Sequence, residues 1–210
     1  MKLLLLGATG LVGSQVLEQA LANDAFSTVI APTRTPLPAH ARLANPVGAR
    51  LEDALPSLAS WRPGAVICAL GTTRAKAGSE AAFRHVDHDL PIAFAQAAHA
   101  ADTPTFAIVT YMGASVGSRF FYARTKGEVE QAVRAIGFRS LTLCRPGLIG
   151  GDRRETRHAE GAALMLTRLL TPILPRRLRI NPAHVIAAAL LEAVIAAEPG
   201  CRSIDSDDMN

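Results

Sequence analysis

In the stretch FFYARTKGEVEQA (120–132), Tyr122 precedes Lys126 by four residues. On a helix, side chains four apart share a face, so a phenol and an ammonium there can point into one cleft. A neighbouring cation stabilises phenolate, and the phenol then loses its proton more readily than in water. Tyr122 is therefore a candidate acid or base, with Lys126 as the group that tunes it. The chain has only two tyrosines and three lysines, so this spacing is uncommon by chance. The alternative is an i,i+4 pair on a wetted helix face.

A substrate carbonyl needs a further polar group to hold it. Thr110 ends the apolar run TFAIVT (105–110), twelve residues before Tyr122. A strand end fixes a hydroxyl better than a loop does, so Thr110 ranks ahead of Ser115, Ser118 and the ring of Tyr111. A β-branched residue that merely ends a strand is the plainer reading.

The second constellation is GATGLVG (7–13), between the first apolar run and the first helical pattern. In that context Gly7 permits a tight turn, Gly10 lets backbone approach a pyrophosphate, and Gly13 lets the helix pack closely on the sheet. Thr9 adds a hydroxyl, and the helix amino terminus supplies N–H groups for phosphate. The P-loop lysine is absent. The alternative is a tight βα turn with no ligand. An acid after the second strand would bind the ribose of NAD, but none occurs between Asp24 and Glu52. Thr33 and Arg34 stand there instead, and an arginine fork pairs with a 2′-phosphate. NADP(H) is thus favoured over NAD(H), unless Arg34 simply faces water.

These residues need a frame to position them. Apolar runs at 2–6, 27–31, 65–70, 105–110 and 140–145 alternate with helical patterns at 11–22, 51–59, 79–101, 122–136 and 182–197. Weaker strands fall near 46–48 and 201–204. Alternation of this kind predicts an α/β fold: a doubly wound, mostly parallel Rossmann sheet with helices on both faces. Pro91 must kink or divide the third helix. No repeat or linker interrupts the 210 residues, which read as a single domain.

Composition narrows the remaining classes. Half the residues are apolar and 19% are charged, as in a folded soluble domain. Four leucines at the start are too few for a signal peptide or membrane span and read as a buried strand. Three cysteines lie far apart without metal or disulfide spacing, so no metal site is expected and a cytoplasmic location is. The net charge of +4 is mostly scattered arginine, which argues against a nucleic-acid partner.

Taken together, GATGLVG, LGTTRAKAG, YARTKGEVE and CRPGLIGGDRRETR resemble the atypical short-chain dehydrogenase/reductases. More narrowly, they are similar to the Tat-interacting-protein-like branch and its bacterial relatives. The resemblance implies that Gly7, Thr9, Gly10, Leu11 and Val12 wrap the pyrophosphate and that Arg34 recognises the adenosine phosphate. It places Leu70, Gly71 and Thr72 along the cofactor, Lys126 on the nicotinamide ribose, and Pro146, Gly147 and Leu148 near the nicotinamide. Thr110 stands where the family has a catalytic serine, and 151–182 would form a reduced substrate cap. Arg74 to Gly78 and Asp152 to Arg157 would lie at the crevice mouth, for an anionic substrate, for cofactor phosphates or as loop clips. The expected function is an NADP(H)-dependent oxidoreductase acting on a carbonyl or alcohol, with Thr110, Tyr122 and Lys126 as catalytic residues. An epimerase, or a non-catalytic NADPH sensor, would use the same fold. Relatives often dimerise through the helix beginning at Tyr122, so a homodimer or another protein partner stays open.

Overall fold

The computed structural model describes residues 1–150 and 179–210. Its main sheet joins β1 (Lys2–Leu6), β2 (Thr28–Ile30), β3 (Leu43–Ala44), β4 (Ala65–Cys68), β5 (Thr105–Val109), β6 (Ser140–Arg145) and a last strand, Gly200–Asp205. The order is β3-β2-β1-β4-β5-β6 followed by the last strand, and every pairing is parallel. The helices are α1 (Leu11–Ala22), α2 (Leu58–Trp61), α3 (Arg74–Ala77), α4 (Glu80–Arg84), α5 (Leu90–Ala100), α6 (Phe121–Ile136) and α7 (Ala183–Ala196).

Four consecutive leucines are tolerable in β1 because both faces of the sheet are covered. Leu3 and Leu5 enter one core with Val16 of α1 and Ile186 and Leu190 of α7. Leu4 and Leu6 enter the other with Phe94 of α5 and Val129 and Val133 of α6. The period of two along a strand is what sends alternate leucines to opposite layers. Strand order reverses direction between β1 and β4, and ligands of open α/β sheets bind outside the carboxyl ends of strands at such a point.

Local chemistry moves several boundaries. The third strand lies at Leu43–Ala44 rather than 46–48, and Val47 keeps only a single bridge to Thr33, since Pro46 has no N–H for the ladder. The helix expected over 51–59 is a 3-10 turn at Leu51–Ser57, containing Pro56, followed by α2. The helix over 79–101 divides into α4, a π-helical turn at His85–Asp89, and α5. Pro91 cannot donate to the Asp87 carbonyl, and the wider turn falls where that bond is missing. Leu148–Gly150 (β7) and Ile180–Pro182 (β8), which the apolar runs do not disclose, pair as a separate two-stranded sheet; the last strand, Gly200–Asp205, is therefore β9. Residues 151–178, most of the expected cap, lie outside the described residues.

Candidate functional site

The glycine turn is shaped for close backbone approach. Gly7 has φ of 88°, and a Cβ there would lie 2.6 Å from the Ala69 carbonyl oxygen. A Cβ on Gly13 would sit 2.0 Å from the Gly7 oxygen, so only glycine allows α1 to start so near the strand. The Gly10 amide donates to the Gly7 carbonyl at 2.9 Å. No side chain caps α1, and its first turn has no acid. Its N–H groups and the positive end of its dipole are thus left for an anion. Thr9 and Gly10 are exposed and Leu11 half-buried, while the Val12 side chain belongs to the core, leaving only its backbone to the turn.

Beyond β2, Asn45 holds the loop. Its amide nitrogen donates to the Ala31 carbonyl at 2.6 Å and the Thr33 hydroxyl at 2.8 Å, and its oxygen accepts the Leu37 amide. Arg34 is exposed there and makes no ion pair with any described residue. Next to it, a cavity of about 90 Å³ is lined by Pro32, Thr33, Pro46, Val47, Leu51 and Trp61, among others. On the β4 side, Leu70 is half-buried and Gly71 exposed, and the Thr72 amide donates to Asp87 Oδ2 at 2.7 Å. Past β6, Pro146 is buried and Leu148 exposed, while the Gly147 amide donates to the fully buried Asn181 at 2.7 Å.

Tyr122 and Lys126 do share a face of α6, with Lys126 Nζ 6.0 Å from the phenol ring centroid. The tuning expected of this pair is not what the structure holds. Lys126, 4% exposed, ion-pairs with buried Asp87 at 2.7 Å. Burial opposes the ammonium charge, but Asp87 and Tyr122 outweigh it and raise the Lys126 pKa. Tyr122 is 38% exposed as a whole, yet the protein packed around its phenol pushes it above its ordinary value, first by desolvation; Lys126 pulls it down, and Asp87 and Tyr111 push it up. At neutral pH Tyr122 is a proton donor rather than a ready phenolate.

Thr110 needs correction as the substrate-holding hydroxyl. It is 4% exposed and donates to Glu130 Oε1 at 2.6 Å, with the Cys144 carbonyl 3.3 Å away. Arg145 clamps the same carboxylate through Nε, at 2.9 Å, and through its terminal nitrogen. Thr110 is therefore part of a buried polar link between β5, α6 and β6. Two rings pack beside Tyr122: Tyr111, edge-on at 5.2 Å between centroids, and the buried Phe83, tilted at 5.7 Å. Ser118 accepts the Phe120 amide, and the Ser115 amide donates to the Ala123 carbonyl. Arg74, expected at the crevice mouth, starts α3, pairs with Glu80 at 2.9 Å and lies over the Phe121 ring. Asp152 to Arg157 fall outside the described residues.

Three positioning residues escaped the sequence patterns. Asp87 carries a signal: Phe83, Asp87, Leu90 and Phe94 follow helical spacing, which puts an acid within an apolar stripe. Glu130, four residues after Lys126, lies on the same buried face of α6. Asn181 has no comparable signal, because its partners Gly147 and Ser206 are remote in sequence.

The fold is a Rossmann-type α/β fold. Solved structures share it at low identity. WbmH of Bordetella bronchiseptica, determined with NAD+, has a TM-score of 0.74 at 15% identity, covering 98% of this chain and 75% of that one. A UDP-N-acetylglucosamine 4-epimerase of Bacillus cereus has 0.69 at 18%, covering 98% and 75%. By sequence, the HIM1 family model matches residues 37–174. The mitochondrial protein fmp52 of Emericella nidulans is 40% identical over 166 residues, 76% of this chain and 71% of that protein. FMP52 of Candida albicans, also named mitochondrial, is 34% identical over 173 residues, 80% of this chain and 75% of that protein. The chain belongs to the HIM1 family.

Two expectations are corrected by these relatives. The narrower resemblance, to a Tat-interacting-protein-like branch with bacterial members, gives way to the HIM1 family and its fungal relatives. A cytoplasmic location does not stand either, because the relatives are named mitochondrial proteins. Three scattered cysteines speak against stable disulfides but do not choose between reducing compartments.

Proposed function

We propose that the chain binds a nicotinamide dinucleotide, NADP(H) in preference to NAD(H), and acts as an oxidoreductase on a carbonyl or alcohol. The observation that carries this reading is the uncapped amino terminus of α1 behind a glycine turn that excludes side chains at Gly7 and Gly13. In it the pyrophosphate lies against the backbone of Gly7, Thr9, Gly10, Leu11 and Val12. Leu70, Gly71 and Thr72 flank the cofactor, Lys126 takes the nicotinamide ribose, and Pro146, Gly147 and Leu148 border the nicotinamide. The absence of an acid between Asp24 and Glu52, and an exposed Arg34 without an ion pair among the described residues, support a 2′-phosphate. Structures of similar fold hold NAD, among them WbmH and a UDP-glucuronic acid 4-epimerase, which supports the dinucleotide without fixing its 2′-position.

The bound nicotinamide supplies hydride chemistry. Tyr122 gives its proton to the carbonyl oxygen, with Lys126 beside its ring and Tyr111 packed edge-on against it. The test is loss of reduced-nicotinamide absorbance with a panel of aldehydes and ketones. Turnover should fall about 10²- to 10⁴-fold in Tyr122→Phe while nucleotide affinity holds. A second reading, a nucleotide-occupied sensor without turnover, is favoured by the commitment of Thr110 to Glu130. A protein that binds the nucleotide tightly yet turns over nothing in the panel would support it.

A further inference from the structure

Asp87 is 1% exposed, on the π-helical turn between α4 and α5, and its two oxygens serve two other elements. Oδ1 meets Lys126 Nζ of α6 at 2.7 Å, and Oδ2 accepts the Thr72 amide of the loop after β4 at 2.7 Å. Burying a carboxylate is costly even when paired. An asparagine would fill the same space but has one acceptor oxygen for two donors, so only a carboxylate accepts from both Thr72 and Lys126, and it sets a negative charge against the ammonium. Single π turns inside helices recur at functional sites, where they re-aim one side chain. The other titratable groups facing the pair are Tyr122 of α6, Cys68 at the end of β4 and, through Tyr122, Tyr111.

We propose that Asp87 is a positioning residue: it fixes Lys126 to the cofactor-side loop and offsets its charge, so that Tyr122 works as a proton donor rather than as a phenolate. The ammonium that would stabilise phenolate is already neutralised 2.7 Å away, and the phenol faces a nearly neutral pair. Burial is the largest cause of the raised Tyr122 pKa; Lys126 pulls it down and Asp87 pushes it back up, which is the sense the offset requires. Because Thr72 and Lys126 hang on one carboxylate, the loop after β4 and α6 move together. The catalytic part of this inference rests on the oxidoreductase reading; the charge offset does not.

The test is an ultraviolet absorbance titration of the tyrosines in wild type, Asp87→Asn and the double variant Asp87→Asn/Lys126→Gln, with Tyr122→Phe identifying the signal of each tyrosine. Removing the offsetting charge should lower the Tyr122 midpoint by about one to three pH units. The double variant, with a neutral amide pair, should return it close to wild type. An Asp87→Asn midpoint equal to or above wild type would overturn the proposal, and so would a double-variant midpoint about a unit higher, since Lys126 would then be acting uncompensated. Asparagine keeps the shape and, with its oxygen on Thr72, the loop contact, but presents a donor to Lys126; a merely structural role would appear as lost stability with the midpoint unmoved. If Asp87→Asn does not fold, the double variant decides alone. Equilibrium dialysis with NADPH, run in parallel, separates the two readings: no binding by wild type removes the oxidoreductase assignment, while the charge offset by Asp87 is still decided by the titration.

Discussion

Replacing Thr110 by valine keeps the β-branched shape of the strand end and removes one hydroxyl. In the structure that hydroxyl serves Glu130, which still keeps two bonds from Arg145. A hydrogen bond to a charged group contributes about 1.5–3 kcal/mol, and the retained Arg145 clamp places Thr110→Val at about 1–2 kcal/mol. For a chain of this size each kcal/mol moves the melting midpoint by about 2–4 °C, so the midpoint should fall by about 2–8 °C. Glu130→Gln should cost more, about 3 kcal/mol, because the charge opposite Arg145 is lost and its remaining acidic partner among the described residues, Asp205, is 4.0 Å away; its partial exposure keeps the figure at the low end for a broken buried pair. The two changes share one network, so the double variant should lose less than the sum by at least about 0.5 kcal/mol. Differential scanning calorimetry gives these values, and turnover by Thr110→Val should stay within a few-fold of wild type. A valine variant with an unchanged melting midpoint and turnover reduced about 10²-fold or more would refute the structural role and return Thr110 to the substrate.

Gly13→Ala would drive a Cβ to 2.0 Å from the Gly7 carbonyl oxygen, backbone against backbone, and should cost about 3 kcal/mol or more in a denaturant titration. At Gly10 the same Cβ would be 3.3 Å from that oxygen, so Gly10→Ala should fold and weaken nucleotide binding selectively. Arg34→Ala should reduce the preference for NADPH over NADH about tenfold or more with little change in NADH affinity, as read from the two dissociation constants. Burial raises the thiols of Cys68 to about 11 and Cys144 to about 12 from an ordinary 9.0. The native state keeps these protons where the unfolded chain has released them. Stability should therefore be level below pH 9 and decline as pH rises toward 11 and 12, a fall in denaturant midpoint that Cys68→Ala should lessen.

Much of the frame is legible in local patterns because the sheet is covered on both sides. The run of leucines in β1, the glycine spacing and the helical period of α1 each point to the same βα unit, and α1 spans the residues its periodicity marks. Tyr122 and Lys126 are legible for the same reason, as a short-range spacing on one helix. What the sequence hides is long-range polar pairing. Thr110 reads as a free hydroxyl until Glu130, twenty residues on, is seen to occupy it. Lys126 reads as an activator until Asp87 arrives from the π-helical turn ahead of α5. β7 and β8 are too short for periodicity, and their partners lie thirty residues and more apart.

Equilibrium dialysis of the purified protein against NADPH and against NADH is the most direct trial of the proposed nucleotide site. Saturable binding near one nucleotide per chain, tighter for NADPH and weakened by Gly10→Ala, is the expected result. Failure to bind either nucleotide at millimolar concentration, by a protein folded by circular dichroism, would contradict the assignment of the glycine turn and of the oxidoreductase built upon it.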